Sequence, residues 1–160
     1  MSESSRWLSL ADELFKTNPD IFNEDNYSVQ SLSIYLRDLG RCVYCGLDLL
    51  QQRQHAYHFV SFDHLLPKDK YPALAKETTN LVLSCRACNG PKRQWNPNYD
   101  PKIVVGDGPL TDEQREQLIQ RVRDYLREVN ASRNAKFDRE RELILTAMKK
   151  NATMAATAGA

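Results

Sequence analysis

The sequence predicts a mixed α+β fold: a β-hairpin, a loop and a short helix, set between helical flanks. Three features lead there. Apolar residues recur at helical spacing at both ends of the chain, a short stretch in the middle reads as strand, and two C-x-x-C pairs bracket that stretch. With 160 residues there is room for one modest domain, or for a small core with flanking helices.

Taken in order, Trp7, Leu10, Ala11, Leu14 and Phe15 form the apolar face of a first helix, which Asn18-Pro19 ends. After a polar link at 23–26, a second stripe follows in Leu32, Tyr35, Leu36 and Leu39. Gly40 stands where a helix C-terminus wants it. Residues 1–40 are thus a helical arm. Residues 41–50 read as a knuckle and a short strand, 51–54 as a polar connection, and 56–62 as the returning strand of a hairpin. A loop over 68–79, with one helical turn, leads into 80–95, which descends to a short helix that Pro97 stops. The core therefore covers 41–97. A linker and C-terminal helices fill 98–150. Thr111-Asp-Glu-Gln114 is a capping-box pattern, opening a helix lined by Leu118, Val122, Tyr125, Leu126 and Val129. Phe137, Ile144, Leu145 and Met148 mark a last helix. Residues 151–160, small and uncharged without periodicity, read as a disordered tail.

Charge narrows the function classes. The formal net charge is only +1, unevenly spread: residues 1–40 carry three basic and seven acidic side chains, 41–110 nine and six, 111–160 ten and eight. A general basic coat for nucleic acid is excluded, and any polyanion site must be local. Residues 84–99 contain Arg86, Lys92 and Arg93 and no acid. No apolar run reaches the roughly 18–20 residues that span a bilayer, and the first residues lack a basic leader and an apolar core, so no membrane association and a cytoplasmic location are expected.

The four cysteines come as Cys42-Val-Tyr-Cys45 and Cys85-Arg-Ala-Cys88, with no spare thiol. Two such pairs are the signature of one tetrahedral Cys₄ zinc site. Disulfides compete with that reading, but a cytosolic chain keeps thiols reduced; a redox pair competes too, but two matched pairs argue against it. With four protein ligands such an ion has no vacancy for water, so it is a structural staple between the base of the hairpin and the helix.

Beside and between these pairs stand GRCVYCG at 40–46, Asp63-His64 followed by Pro67, Asn80-Leu81, and Cys85-x-x-Cys88-Asn89 with Lys92 three further on. In these motifs, over about residues 40–95, the sequence resembles the HNH endonuclease family, the ββα-metal or His-Me finger nucleases. Asn89 occupies the third signature position, where the family's pattern has a second histidine, as in its HNN variants. The resemblance implies that His64 is a general base taking a proton from the water that attacks a scissile phosphate; histidine suits the role because it titrates near physiological pH. It implies that Asp63 and Asn89 bind one divalent cation, Mg²⁺ or Mn²⁺, through oxygen, and that Asn80 braces the loop carrying the histidine. Lys92, Arg93 and Arg86 are the candidate contacts to nucleic acid.

Each residue also has a plainer reading. Asp63 can cap a turn, Asn89 can cap a helix, Lys92 and Arg93 can be solvated charges, and His55 and His58 match no family position. Trp95 is expected to close the core. In an ideal strand Asp63 and His64 point to opposite faces, so they flank one phosphate only if the strand twists or breaks there, and Leu65-Leu66-Pro67 supplies the break. The expectation is a metal-dependent endonuclease with DNA preferred to RNA. It is read as the effector of an anti-phage or mobile-element system, paired with a protein partner such as an ATPase subunit. The alternative is a zinc-stabilised module that binds nucleic acid or docks a partner without catalysis. The acidic arm at 1–40 would repel DNA and suits a basic partner.

Overall fold

The computed structural model describes residues 3–22, 27–95 and 108–158. The link at 96–107, with Pro97 as the expected helix stop, lies outside them.

Helices α1 (Glu3–Thr17) and α2 (Val29–Arg37) form the N-terminal arm and pack on each other. Ser28 caps α2, its hydroxyl accepting from the Ser31 N–H while the Ser31 hydroxyl accepts from the Ser28 N–H, a reciprocal box made by two serines. At the other end Leu39 and Gly40 both take positive φ, of 54° and 65°, so glycine is used where the chain must turn left-handed off the helix.

The sheet is antiparallel and two-stranded, but its pairing differs from the sequence reading. Strand β1 (Val60–His64) pairs with β2 (Leu81–Cys85), in the register Val60↔Cys85 through His64↔Leu81. The expected first strand is reduced to one bridge, Arg41↔Asp48, which closes the knuckle, and residues 55–59 form a π-helical turn instead of strand. The reason lies in burial. Val82, Leu83, Ser84 and Cys85 are all buried, so β2 shows no alternation, and such a run cannot be told from buried helix by pattern. In the displaced stretch Leu49 enters the core while Leu47 and Leu50 stay exposed. The loop from β1 to β2 contains two 3₁₀ turns, Pro72–Leu74 and Thr78–Asn80, and β2 runs directly into α3 (Arg86–Lys92).

The C-terminal segment is one helix, α4 (Asp112–Ala158), where two were expected. It enters the segment read as a tail. The capping box is formed as predicted: the Gln114 N–H donates to the Thr111 hydroxyl, and Gln114 Oε1 accepts from the Thr111 N–H. Only the first half of α4 packs. Leu118, Ile119, Val122 and Leu126 join Ile34 and Tyr35 of α2, Leu65 and Leu66 after β1, and Val82 and Leu83 of β2 in one core. Asp38 ties these elements together. Its carboxylate, almost wholly buried, accepts from Arg37, from Arg115 of α4 and from the Leu83 N–H. No helix among the described residues is long and apolar enough to cross a membrane.

Candidate active site and metal centre

The four cysteines meet. Their sulfurs all lie within 4.8 Å of one another, and those of Cys45 and Cys85 are 3.8 Å apart. A tetrahedron of four sulfurs at 2.3 Å from a zinc ion has edges of about 3.8 Å, so the set fits the ion. The backbone shapes the cluster: the Gly46 N–H donates to the Cys42 carbonyl at 2.8 Å, with Gly46 at φ 77°, and Cys85 and Cys88 bracket the start of α3. Thiol protons are unequally held. Hydrogen bonds from Cys45, Cys85 and Cys88 push Cys42 below the ordinary thiol range, and Cys42 is in turn the largest influence pushing Cys85 and Cys88 up. A fully deprotonated set needs a cation to balance it.

At the end of β1 lies a cleft of about 320 Å³, lined among others by Asp63, His64, Lys68, Asn89 and Arg93. β1 ends at His64 and the chain bends at 65–66, as expected, and the neighbouring residues 63 and 64 both line the cleft. His64 is half-buried, and its Nε2 lies 2.9 Å from the Ala75 carbonyl. A carbonyl only accepts, so Nε2 carries a proton, and in the neutral ring Nδ1 is the nitrogen with the lone pair.

Asn80 is 0 % exposed. Its Oδ1 accepts from the Leu66 N–H at 2.8 Å, and its Nδ2 donates to the carbonyls of Leu66 and Leu74 at 3.1 and 3.2 Å. Its own carbonyl accepts from the Leu65 N–H. This one amide therefore satisfies both edges of the loop that leaves His64, in a place water cannot reach.

Asp63 is 7 % exposed and already has company. The Tyr44 hydroxyl donates to its Oδ2, and the Lys92 ammonium stands 3.2 Å from Oδ2 and 3.3 Å from Oδ1. Burial first, then the Asp63 charge, push the Tyr44 phenol well above its ordinary range, so the phenol keeps its proton in this bond. Lys92 requires a correction. Read in the sequence as a contact to nucleic acid, it is only 4 % exposed, and its ammonium is bound to Asp63 and the His64 carbonyl, near the Trp95 ring. Burial lowers its pKa, and the Asp63 charge opposes that. It is the internal counter-ion of Asp63. Arg93 and Arg86 are exposed, and of the two Arg93 lines the cleft. Trp95 packs against the core. His55 bonds to the Asp48 carbonyl, and His58 is exposed.

Asn89 donates from Nδ2 to the Ser61 hydroxyl, which leaves its Oδ1 to accept or to ligate a cation. A carboxylate and an amide oxygen on one cleft could hold a hard divalent ion with waters completing its shell. Tyr44, Ser61 and Asp38 were not singled out from the sequence. Tyr44 carried the one available signal, a polar-tipped ring between two cysteines of a buried knuckle, since such a hydroxyl must find an acceptor.

Comparison with known proteins agrees with this geometry. Residues 42–94 match the model of the HNH endonuclease family. A stretch of 64 residues is 36% identical to the Septu protein PtuB of Bacillus thuringiensis, covering 40% of this chain and 23% of that relative. The matched stretch thus spans less than a quarter of the relative's length. The segment that matches the HNH endonuclease family, residues 42–94, contains the four-cysteine cluster that fits zinc.

Proposed function

We propose that this chain is a metal-dependent endonuclease that hydrolyses phosphodiester bonds, with DNA as its preferred substrate. The observation that carries the reading is the tethered imidazole: His64 lines the cleft with Nε2–H bound to the Ala75 carbonyl, so Nδ1 is the free base. Nδ1 takes a proton from a water whose oxygen attacks the phosphorus, and the bond to the 3′ oxygen breaks. Asp63 and the Asn89 carbonyl oxygen would hold Mg²⁺ or Mn²⁺, which would offset the charge that develops on the phosphate and the departing oxygen. Asn80 keeps the loop after His64 in place, Arg93 in the cleft lining contacts substrate phosphate, and Arg86 is a second exposed basic candidate for such a contact. The likeness to the Septu protein supports the anti-phage setting, while a protein partner such as an ATPase subunit rests on analogy within the nuclease family and on the acidic arm at 1–40, which suits a basic partner.

Plasmid DNA and RNA of matched length, incubated with the purified chain in Mg²⁺, in Mn²⁺ and in chelator, test this. Cutting requires the divalent ion, and His64→Ala slows it by roughly 10²–10⁴-fold while DNA binding is kept. Undiminished cutting by His64→Ala removes this mechanism. Binding by the wild type without any cutting leaves the zinc-stabilised binding module as the function.

A further inference from the structure

The knuckle gives the cleft more than rigidity. Tyr44 lies between two cysteines of the cluster, its ring in the core and its hydroxyl 2.5 Å from Asp63 Oδ2. The two hydrogen-bond donors on Asp63 are not equivalent. The Lys92 ammonium is almost equidistant from the two carboxylate oxygens, at 3.2 and 3.3 Å, so by itself it does not choose between them. The phenol reaches Oδ2 alone. Oδ2 thus receives the phenol and lies against the ammonium, whereas Oδ1 accepts from the ammonium alone and keeps a lone pair for a further partner.

We propose that Tyr44 is a positioning residue for Asp63, holding the carboxylate by Oδ2 so that Oδ1 faces a divalent cation, and that the cysteine cluster thereby sets the geometry of the cation site. The proposal rests on the nuclease reading of the cleft. The path is short. Cys42 and Cys45 fix the backbone on either side of Tyr44, and the hydrogen bond from the ring ends on a cation ligand. Without the hydroxyl, Asp63 is left to the ammonium, which competes with an incoming cation for both oxygens.

Tyr44→Phe removes one oxygen and keeps the ring in the core. Mn²⁺ binding to the full chain is followed by the loss of the free-ion electron paramagnetic resonance signal, alongside zinc content and plasmid cutting across a Mn²⁺ series. The variant is expected to retain one zinc per chain and to bind Mn²⁺ roughly tenfold more weakly, the scale of a lost hydrogen bond to a charged group. The Mn²⁺ concentration for half-maximal cutting rises with it, while the rate at saturating Mn²⁺ changes little. In an Asp63→Asn background the same substitution adds no further loss. Equal Mn²⁺ affinity in wild type and Tyr44→Phe overturns the positioning role alone. Loss of zinc in Tyr44→Phe also overturns it, because the effect is then on the knuckle. If wild type and Asp63→Asn bind Mn²⁺ equally, the cation is not at Asp63, and the nuclease reading of the cleft falls together with the role of Tyr44.

Discussion

The two halves of α4 share one continuous backbone and similar apolar spacing, yet only one of them is part of the core. In the first half Leu118, Ile119, Val122 and Leu126 are at most 4 % exposed. Arg115 reaches Asp38, Arg123 donates to the Val43 carbonyl in the knuckle, and Tyr125 donates to the Pro91 carbonyl after the second cysteine pair. In the second half every residue from 131 to 150 is exposed, including Phe137, Leu143, Ile144 and Met148. Periodicity identifies a face; it does not supply anything to bury that face against. The first half is held by tertiary contacts, whereas the second is propagated from it, one hydrogen bond per residue, along a rod of about 70 Å.

This contrast breaks first at the zinc cluster. The first half of α4 packs on a core that the knuckles hold, and a structural zinc site contributes on the order of 10 kcal/mol, as much as a small domain's whole stability. Stripping the metal, or Cys42→Ser, is therefore expected to abolish the cooperative thermal transition and the near-ultraviolet signal of the buried aromatic groups. A transition unchanged in a chain shown to be metal-free would mean that apolar packing alone holds the core. The next effect is smaller and local. Leu118→Ala, at a position 0 % exposed, should cost about 2–5 kcal/mol in denaturant unfolding, through lost burial and the cavity it leaves. A cost below about 1 kcal/mol would put the first half of the helix in the same class as the second.

The same contrast explains what was legible beforehand. Cysteine pairs, the Asp63-His64 couple and Asn89 are recognised by residue type at short spacing, and the fold brings the cysteines together and sets the other three on one cleft. Strand pairing was not legible, because β2 is buried on both faces and so lacks the period of two that marks a half-buried strand. Lys92 was misplaced because a charge reads as solvent-facing unless its counter-ion is known, and Asp63 lies 29 residues earlier. Tyr44 meets Asp63 across 19 residues, and Asp38 meets Arg115 across 77, distances over which no local pattern carries information. Two helices were expected, one lined through Val129 and one from Phe137, but the run from Asn130 to Lys136 has neither proline nor glycine, so nothing in it stops propagation.

The smallest expected effect lies in the second half of α4 and sharpens the comparison most. Ile144 is 59 % exposed and Phe137 60 %, so replacing either by serine removes almost no buried surface. Each should change the unfolding free energy by no more than about 0.5 kcal/mol, the range of surface substitutions. Propensity adds little to this, since serine, isoleucine and phenylalanine rank alike as helix formers. The measurement is made at two protein concentrations well apart. A small change that is the same at both confirms that the stripe contributes nothing to the folded chain on its own. A loss of 2 kcal/mol or more that grows with concentration would mean that another copy covers the stripe in solution, and the two halves of α4 would then differ in which chain they pack against, not in whether they pack.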